Sequence, residues 1–239
     1  MLNYYCELWD YIFEPLNDVR KFKFLDIVSK VSWNKVCDLW CWYSWLYWAL
    51  WYFQRVDEIY FYEYYDVYID KLNYFINNIS PEFLEENFWE VIFFLQKNNL
   101  IDKNKSFVDI ASELLEKIIC VEKINFLEKI PWENFDVIFT NESIECVESN
   151  NNFSKILNNI YSWLCAWWKL IFIMLGYDKK NNITEELIKF KLEWNLNIEE
   201  DNINWLLLNS WFISNSLQMI IFKELWNRWK YLYWEYIKK

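Results

Sequence analysis

The residues best suited to chemistry lie in one short stretch of the chain, which ends in an acid. An apolar run at residues 36–39 is followed, after a tight turn, by the helix-length segment 44–54. A second apolar run at residues 59–62 is followed directly by Glu63. Strand, tight turn, helix, strand and acid form the first half of a nucleotide-binding βαβ unit. The stretch therefore predicts a ligand site at the carboxyl ends of two neighbouring parallel strands.

The turn after the first strand carries unexpected residues for such a site. A nucleotide-binding turn needs glycine, because only a residue without Cβ lets the backbone approach a ligand closely. The corresponding positions hold Trp40 and Trp42. The chain of 239 residues has Gly 1 and Trp 18, whereas average usage predicts roughly 17 glycines. The tryptophans thus occur in about the number expected of glycine.

Other tryptophans also lie where a turn or connection favours glycine. Trp33 precedes the first predicted strand, Trp132 follows Pro131, and Trp167-Trp168 precedes another predicted strand. Further examples are Trp211, Trp226 and Trp229. A bulky residue in the left-handed conformation of many turns costs roughly 1–2 kcal/mol. Because some bacterial lineages translate the codon UGA as glycine, our hypothesis is that most of these residues are glycine in the living protein.

The alternative is a chain that is truly rich in tryptophan, such as a sugar-binding or interface protein. Tryptophans that bind sugars need not lie at turn positions, so this alternative explains the positions less well. Trp89 and Trp234 lie in strongly aromatic runs. We therefore expect these two tryptophans to be genuine.

The composition argues against several functional classes. A net charge of −11 argues against a nucleic-acid partner, which requires a basic face. With His 0, histidine-containing metal sites and Ser-His or Cys-His catalytic pairs are excluded. The six cysteines form no Cys-x-x-Cys pair, which indicates small buried hydrophobes in a reducing cytosol. Neither a secretory signal nor an apolar run of membrane-spanning length is visible, so we expect a cytoplasmic protein without membrane association.

Strand and helix patterns alternate along the rest of the chain. The predicted strands are 35–39, 58–62, 118–121, 135–140, 169–175, 214–222 and 230–237. The predicted helices are 44–54, 66–79, 82–97, 108–117, 153–164 and 199–210. Residues 1–34 predict a helical cap, and residues 35–239 predict one domain with a helical insertion at about 80–117. The expected fold is α/β, a Rossmann-like, seven-stranded, mostly parallel sheet with helices on both faces and a C-terminal antiparallel hairpin.

With glycine in place of tryptophan, the motifs resemble those of class I S-adenosylmethionine-dependent methyltransferases. Residues 36–44 become VCDLGCGYS, which is similar to the first motif of that family. Glu63 matches the acid that binds the ribose, and residues 134–141 are similar to the fourth-strand motif. Residues 164–170 become LCAGGKL and residues 209–212 become NSGF, similar to the turns before strands five and six. The order and spacing of these motifs make the resemblance specific.

The resemblance implies S-adenosylmethionine as the cofactor and a methyltransferase domain over residues 35–239. Glu63 would accept hydrogen bonds from both ribose hydroxyls, and Asp38 would orient the first turn and help to hold the methionine ammonium group. Two departures from the family pattern are Ser44, where a third glycine is frequent, and Ala166, where proline is usual. The turn residues implied to present their backbone to the cofactor are Trp40, Cys41, Trp42 and Ser44.

Other implied contacts stay open between two interpretations. Tyr64 would stack against the adenine or belong to the core. Glu122 or Asn125 would lie near the adenine amino group, and a plain surface position is an equal alternative for both. Asn141 and Glu142 follow the fourth strand, where they would contact the methionine end or the substrate. No catalytic base can be assigned from the sequence.

A further resemblance concerns the substrate and implies a small-molecule methyl acceptor. The helix after Glu63 and the insertion resemble the small-amine N-methyltransferases of the nicotinamide and phenylethanolamine type. Tyr4, Tyr5 and Tyr11 match the tyrosines that those enzymes carry near the N-terminus. Two alternatives stay open: a nicotinamide-dependent oxidoreductase, although the turn lacks GxGxxG, and a non-enzymatic interaction scaffold if the tryptophans are genuine.

Peptide mass spectrometry across residues 36–54 tests the hypothesis of recoded glycine. We expect glycine masses at positions 40 and 42 in protein isolated from its natural source, because the turn has to approach a ligand closely. Tryptophan masses at both positions would refute the hypothesis.

Overall fold

The computed structural model describes residues 31, 33–39, 45–128, 134–141, 149–177, 212–221 and 229–238. Their strands are β1 (Trp33–Leu39), β2 (Val56–Glu63), β3 (Ile118–Lys123), β4 (Phe135–Asn141), β5 (Leu164–Tyr177), β6 (Phe212–Ile221) and β7 (Trp229–Lys238). Their helices are α1 (Trp45–Tyr52), α2 (Asp66–Asn78), α3 (Pro81–Lys97), α4 (Phe107–Lys117) and α5 (Asn150–Trp163), with a 3₁₀ turn at Phe53–Arg55. The strands belong to one seven-stranded sheet, and the chain divides into two compact units between Lys123 and Ile124.

The first unit contains β1, β2 and β3, which pair in parallel in the order β3-β2-β1. Near-continuous apolar runs form β1 and β2, as expected for parallel strands that are covered on both faces. In β2, every side chain from Ile59 to Glu63 is buried. Leu39, the last residue of β1, lies opposite Tyr62. The carboxyl ends of β1 and β2 therefore lie side by side.

Local caps and one long-range contact position the helices of the first unit. The Ser80 hydroxyl accepts a hydrogen bond from a backbone N–H in the first turn of α3, at 3.1 Å. Ser106 and Asp109 form a reciprocal capping box at the start of α4. At the other end of α4, Lys117 Nζ donates to the carbonyl of Phe53 at 2.8 Å. This contact holds the end of α4 against the 3₁₀ turn that leads into β2.

The second unit contains the other four strands in the order β4-β5-β7-β6. β4 and β5 pair in parallel, and α5 is the helix of the connection between them. Ile156, Leu157 and Ile160 lie on one face of α5 and are at most 1% exposed. β7 pairs antiparallel with both β5 and β6, so that β6 and β7 form the C-terminal hairpin.

The predicted fold, a mostly parallel seven-stranded sheet with a C-terminal antiparallel hairpin, is confirmed. The helices predicted at 66–79, 82–97 and 108–117 agree with α2, α3 and α4 to within one residue at each end. Trp33 and Asn34 belong to β1 rather than to the predicted cap, whose residues 1–30 lie outside the described residues. The predicted helix 199–210 also lies outside them.

The predicted tight connection before the fifth strand is wrong, because β5 begins at Leu164 rather than at residue 169. Trp167-Trp168 lies within this strand. Phe135 lies opposite Leu164, but Val137 lies opposite Lys169. β5 therefore advances five residues where β4 advances two, and the extra residues form an irregular bulge instead of a turn.

Two other tryptophans also differ from the prediction of turn positions. Trp33 and Trp229 are the first residues of β1 and β7. Within the described ranges, the residues with positive φ are Asn99, at 59°, and Asn134, at 94°. Asparagine tolerates this conformation better than most residues with a Cβ. These left-handed positions thus use asparagine, while Trp132, Trp211 and Trp226 lie outside the described residues.

None of the helices that the structure describes combines the length and the apolar composition needed to cross a lipid bilayer.

Candidate active site

Glu63 is the central residue of the candidate site because its charged group is fully buried. It is the last residue of β2 and is 0% exposed. Its Oε1 accepts hydrogen bonds from the backbone N–H groups of Tyr64, at 2.7 Å, and Tyr65, at 3.0 Å. Two donors on one oxygen restrict the orientation of the carboxylate. The backbone that leaves β2 toward α2 thus holds the acid in place.

A second buried carboxylate belongs to Asp38, one residue before the end of β1. Asp38 is 2% exposed, and its Oδ2 accepts a hydrogen bond from Tyr52 Oη at 3.0 Å. Tyr52 is the last residue of α1 and is also buried. Such a donor matters because a buried carboxylate without partners is costly. The bond joins β1 to the end of α1, on either side of the predicted cofactor turn at 40–44.

The structure brings Asp38 and Glu63 to the same edge of the sheet, as the sequence predicts. Asp38 lies opposite Phe61, so Glu63 lies two residues further toward the carboxyl edge. From the spacing of strands and residues, the two backbones are about 8 Å apart. Their roles in cofactor binding remain predictions.

Tyr64 begins an exposed aromatic edge beside the buried acid. It is 40% exposed, which excludes the interpretation of this residue as core. Its ring meets that of Tyr65 edge-on with 5.0 Å between centroids, and Tyr65 meets Tyr68 of α2 in the same way at 5.8 Å. An aromatic face that is partly open to water can stack against a planar ligand. Stacking thus remains the prediction for Tyr64.

The two candidates for the adenine amino group have different surroundings. Glu122 is exposed in β3 and lies opposite Tyr62. Asn125 Oδ1 accepts from the N–H of Leu127 at 3.1 Å, and its Nδ2 donates to Glu128 Oε1 at 3.2 Å. These bonds close a local turn, which gives Asn125 a structural role of its own. Glu122 is therefore the better candidate of the two.

In the second unit, β4 ends at Asn141, whose Cα lies opposite Ile173. The residue before it, Thr140, is 1% exposed. Thr140 belongs to the motif at residues 134–141 but is not among the predicted site residues, because one hydroxyl at a strand end is a weak signal. Tyr52 was missed as well, because its contact with Asp38 depends on tertiary structure.

Predicted site residues outside the described ranges are Trp40, Cys41, Trp42, Ser44, Glu142, Tyr4, Tyr5 and Tyr11.

Burial raises the pKa of two thiols in this part of the sheet, those of Cys37 in β1 and Cys120 in β3. Burial raises the pKa of the Cys37 thiol well above its ordinary value, and the charge of Asp38 raises it further. Burial likewise raises the pKa of Cys120 to about 11. Because the thiolate is the nucleophilic form, both side chains are poor nucleophiles near neutral pH. Cys37 is fully buried, which confirms its interpretation as a small buried hydrophobe.

An open depression lies far along β2 from Glu63, between Asp57 and α4. Glu113 of α4 pairs there with Lys105 and, at 3.0 Å, with Lys117. Burial raises the pKa of Glu113, but hydrogen bonds from the two lysines outweigh burial and leave this pKa below its usual value. These ion pairs stabilise α4 and the segment just before it, which contains Lys105. We therefore assign the depression no part in the candidate site.

No protein-family model matches the sequence, and no curated protein matches it either. Solved structures do match. A geranyl diphosphate methyltransferase in complex with S-adenosylmethionine aligns with 9% identity and a TM-score of 0.59, over 95% of this chain and 87% of that one. The N-methyltransferase NodS from Bradyrhizobium japonicum aligns with 9% identity and a TM-score of 0.56, over 92% and 95% of the two chains.

An S-adenosylmethionine-dependent methyltransferase from Mesorhizobium loti aligns with 10% identity and a TM-score of 0.56, over 91% of this chain and 97% of that one. At such identities the likeness concerns the fold. The chain has the fold of class I S-adenosylmethionine-dependent methyltransferases, as the motifs predict.

Replacing Tyr52 with phenylalanine removes a donor from a buried carboxylate. We expect Tyr52→Phe to lower the free energy of unfolding by about 1–3 kcal/mol, the typical cost of leaving a buried polar group short of a partner. Urea unfolding followed by circular dichroism measures this change.

Tyr74→Phe is the matched control for this substitution, because Tyr74 is 58% exposed. It should change the free energy of unfolding by no more than about 0.5 kcal/mol. Equal stability of Tyr52→Phe and the unaltered protein would contradict the role given to the contact with Asp38.

Proposed function

We propose that this protein transfers a methyl group from S-adenosylmethionine to a small-molecule acceptor, with an amine nitrogen as the favoured acceptor. One observation carries the proposal: Glu63 is a fully buried carboxylate at the end of β2, held by the N–H groups of Tyr64 and Tyr65. It occurs in a chain with the fold of class I methyltransferases. The choice of nitrogen rests on the resemblance of the helix after Glu63 and the insertion to small-amine N-methyltransferases, since the matching folds include enzymes with other acceptors.

The chemistry of Glu63 fits the ribose of this cofactor. A ribose presents two neighbouring hydroxyl donors, and a carboxylate has acceptor sites for both. The amides of Tyr64 and Tyr65 keep the carboxylate from rotating, so little orientational freedom remains to be lost on binding. Burial also strengthens each hydrogen bond, because competing water is excluded. Glu63 would therefore hold the ribose.

Glycine at positions 40 and 42 is part of the proposal, because indole side chains there would fill the cofactor cleft. Trp163 adds a reason to suspect recoding elsewhere in the chain. Its side chain is 0% exposed, and its Nε1 has no hydrogen-bond partner in the described part of the chain. Burying an unpaired N–H costs about 1–3 kcal/mol.

The protein's contribution to methyl transfer is mainly binding and orientation. The bound cofactor would supply a reactive sulfonium methyl group, so the chain has to align the acceptor with it and exclude water. Asp38, held by Tyr52, would fix the first turn, and the exposed ring of Tyr64 would cover a planar part of the ligand. The raised thiol pKa of Cys37 argues against covalent catalysis by that residue.

Substituting Glu63 tests the proposal directly. In Glu63→Gln the amide oxygen can still accept from the backbone, but the other end of the side chain becomes a donor. We expect this variant to bind S-adenosylhomocysteine at least tenfold more weakly, since a hydrogen bond to a charged group contributes about 1.5–3 kcal/mol. Isothermal titration calorimetry on protein made with glycine at the UGA codons measures the affinity.

Asp57→Asn is the charge-matched control, because Asp57 is exposed near the other end of β2. It should leave the affinity unchanged. Binding of NADH in place of S-adenosylhomocysteine would favour the oxidoreductase. A folded protein that binds neither would favour the scaffold and would contradict the proposal.

A further inference from the structure

The outer face of α3 places two large aromatic side chains in water. Trp89 is 53% exposed and Phe93 is 61% exposed. Residues four apart on a helix are neighbours on its surface, so the two rings form one apolar surface. The helix does not need them for its own packing, since it already buries a complete inner face. That inner face consists of Leu84, Phe88, Val91, Ile92 and Leu95.

The same outer face is strongly acidic. Glu82, Glu85, Glu86 and Glu90 are all exposed. None of the ion pairs among the described residues involves any of these four carboxylates. Glu85 lies one turn before Trp89, and Glu86 lies one turn before Glu90. The aromatic pair is therefore bordered by four carboxylates, and the one basic residue of α3, Lys97, lies at its C-terminal end.

The position of residue 89 inside a helix favours tryptophan over glycine. Residue 89 lies in the middle of α3, which has 17 residues. Glycine is the poorest helix former other than proline, because it loses the most backbone entropy. The structure thus agrees with the expectation that Trp89 is tryptophan in the living protein.

We propose that the outer face of α3 docks a basic amphipathic helix of a partner protein. The partner's apolar residues would cover Trp89 and Phe93, and its lysines or arginines would pair with the surrounding carboxylates. Charge complementarity selects this occupant. A second copy of the chain, at a net charge of −11, would oppose like charges. An anionic membrane surface would be repelled for the same reason.

The size of the surface sets the expected strength of binding. Two aromatic side chains exposed by about half offer roughly 200 Å² of apolar area. A stable complex buries about 800 Å² on each partner. We therefore expect a transient complex whose affinity falls with added salt.

Fluorescence anisotropy of a labelled 18-residue helical peptide of leucine and lysine, titrated with the full chain, tests this proposal. The double variant Trp89→Ala/Phe93→Ala should bind at least tenfold more weakly. The triple variant Glu85→Gln/Glu86→Gln/Glu90→Gln should bind several-fold more weakly and should lose most of its salt dependence. All substituted side chains are exposed, so circular dichroism should show unchanged folding.

Tyr74→Ala is the matched control, because Tyr74 is a comparably exposed aromatic residue on α2. It should bind the peptide like the unaltered protein. Equal binding by the double variant would overturn the proposal, as would equal affinity for a leucine and glutamate peptide. Self-association in sedimentation, or binding to phosphatidylglycerol vesicles with loss of peptide binding, would overturn it as well. None of these outcomes depends on cofactor binding, so failure here leaves the proposed function untouched.

Discussion

The candidate site depends on one interaction, the pair of hydrogen bonds that two backbone N–H groups donate to the carboxylate of Glu63. A charge with no solvent exposure is stable only if donors replace the lost water. The N–H groups of Tyr64 and Tyr65 do so, at 2.7 and 3.0 Å. They are available because β2 ends at Glu63 and α2 begins three residues later. The end of one strand and the start of the next helix thus create a fixed acceptor at the edge of the sheet.

A second constraint acts on the neighbouring strand. The bond from Tyr52 to Asp38 joins the last residue of α1 to β1, so one buried contact links the strand before the predicted cofactor turn to the helix after it. Meanwhile, burial keeps the nearby Cys37 thiol protonated. Among the described residues, the site offers oriented acceptors, and its Cys37 thiol is a poor nucleophile. Such a site suits a reaction in which the reactive group arrives with the cofactor and the protein aligns it.

Much of the fold could be predicted because its signals are local. Apolar runs mark β1 and β2, and serines that cap helices, such as Ser80 and Ser106, mark where α3 and α4 begin. Glu63 could be found because strand and acid are adjacent in sequence. Tyr52 could not, because its partner Asp38 lies 14 residues away and is reached only in the folded chain. The early start of β5 was missed because an irregular register depends on the partner strand.

Hydrogen–deuterium exchange at the backbone amides of Tyr64 and Tyr65 tests the account most directly. These amides donate hydrogen bonds to the carboxylate that we expect to bind the ribose. A bound ligand should therefore make the local opening of these hydrogen bonds rarer. The account predicts that S-adenosylhomocysteine, added to protein with glycine at positions 40 and 42, slows their exchange clearly while exchange in α3 stays unchanged. Binding of the ligand with no slowing at these two amides would contradict the role given to Glu63.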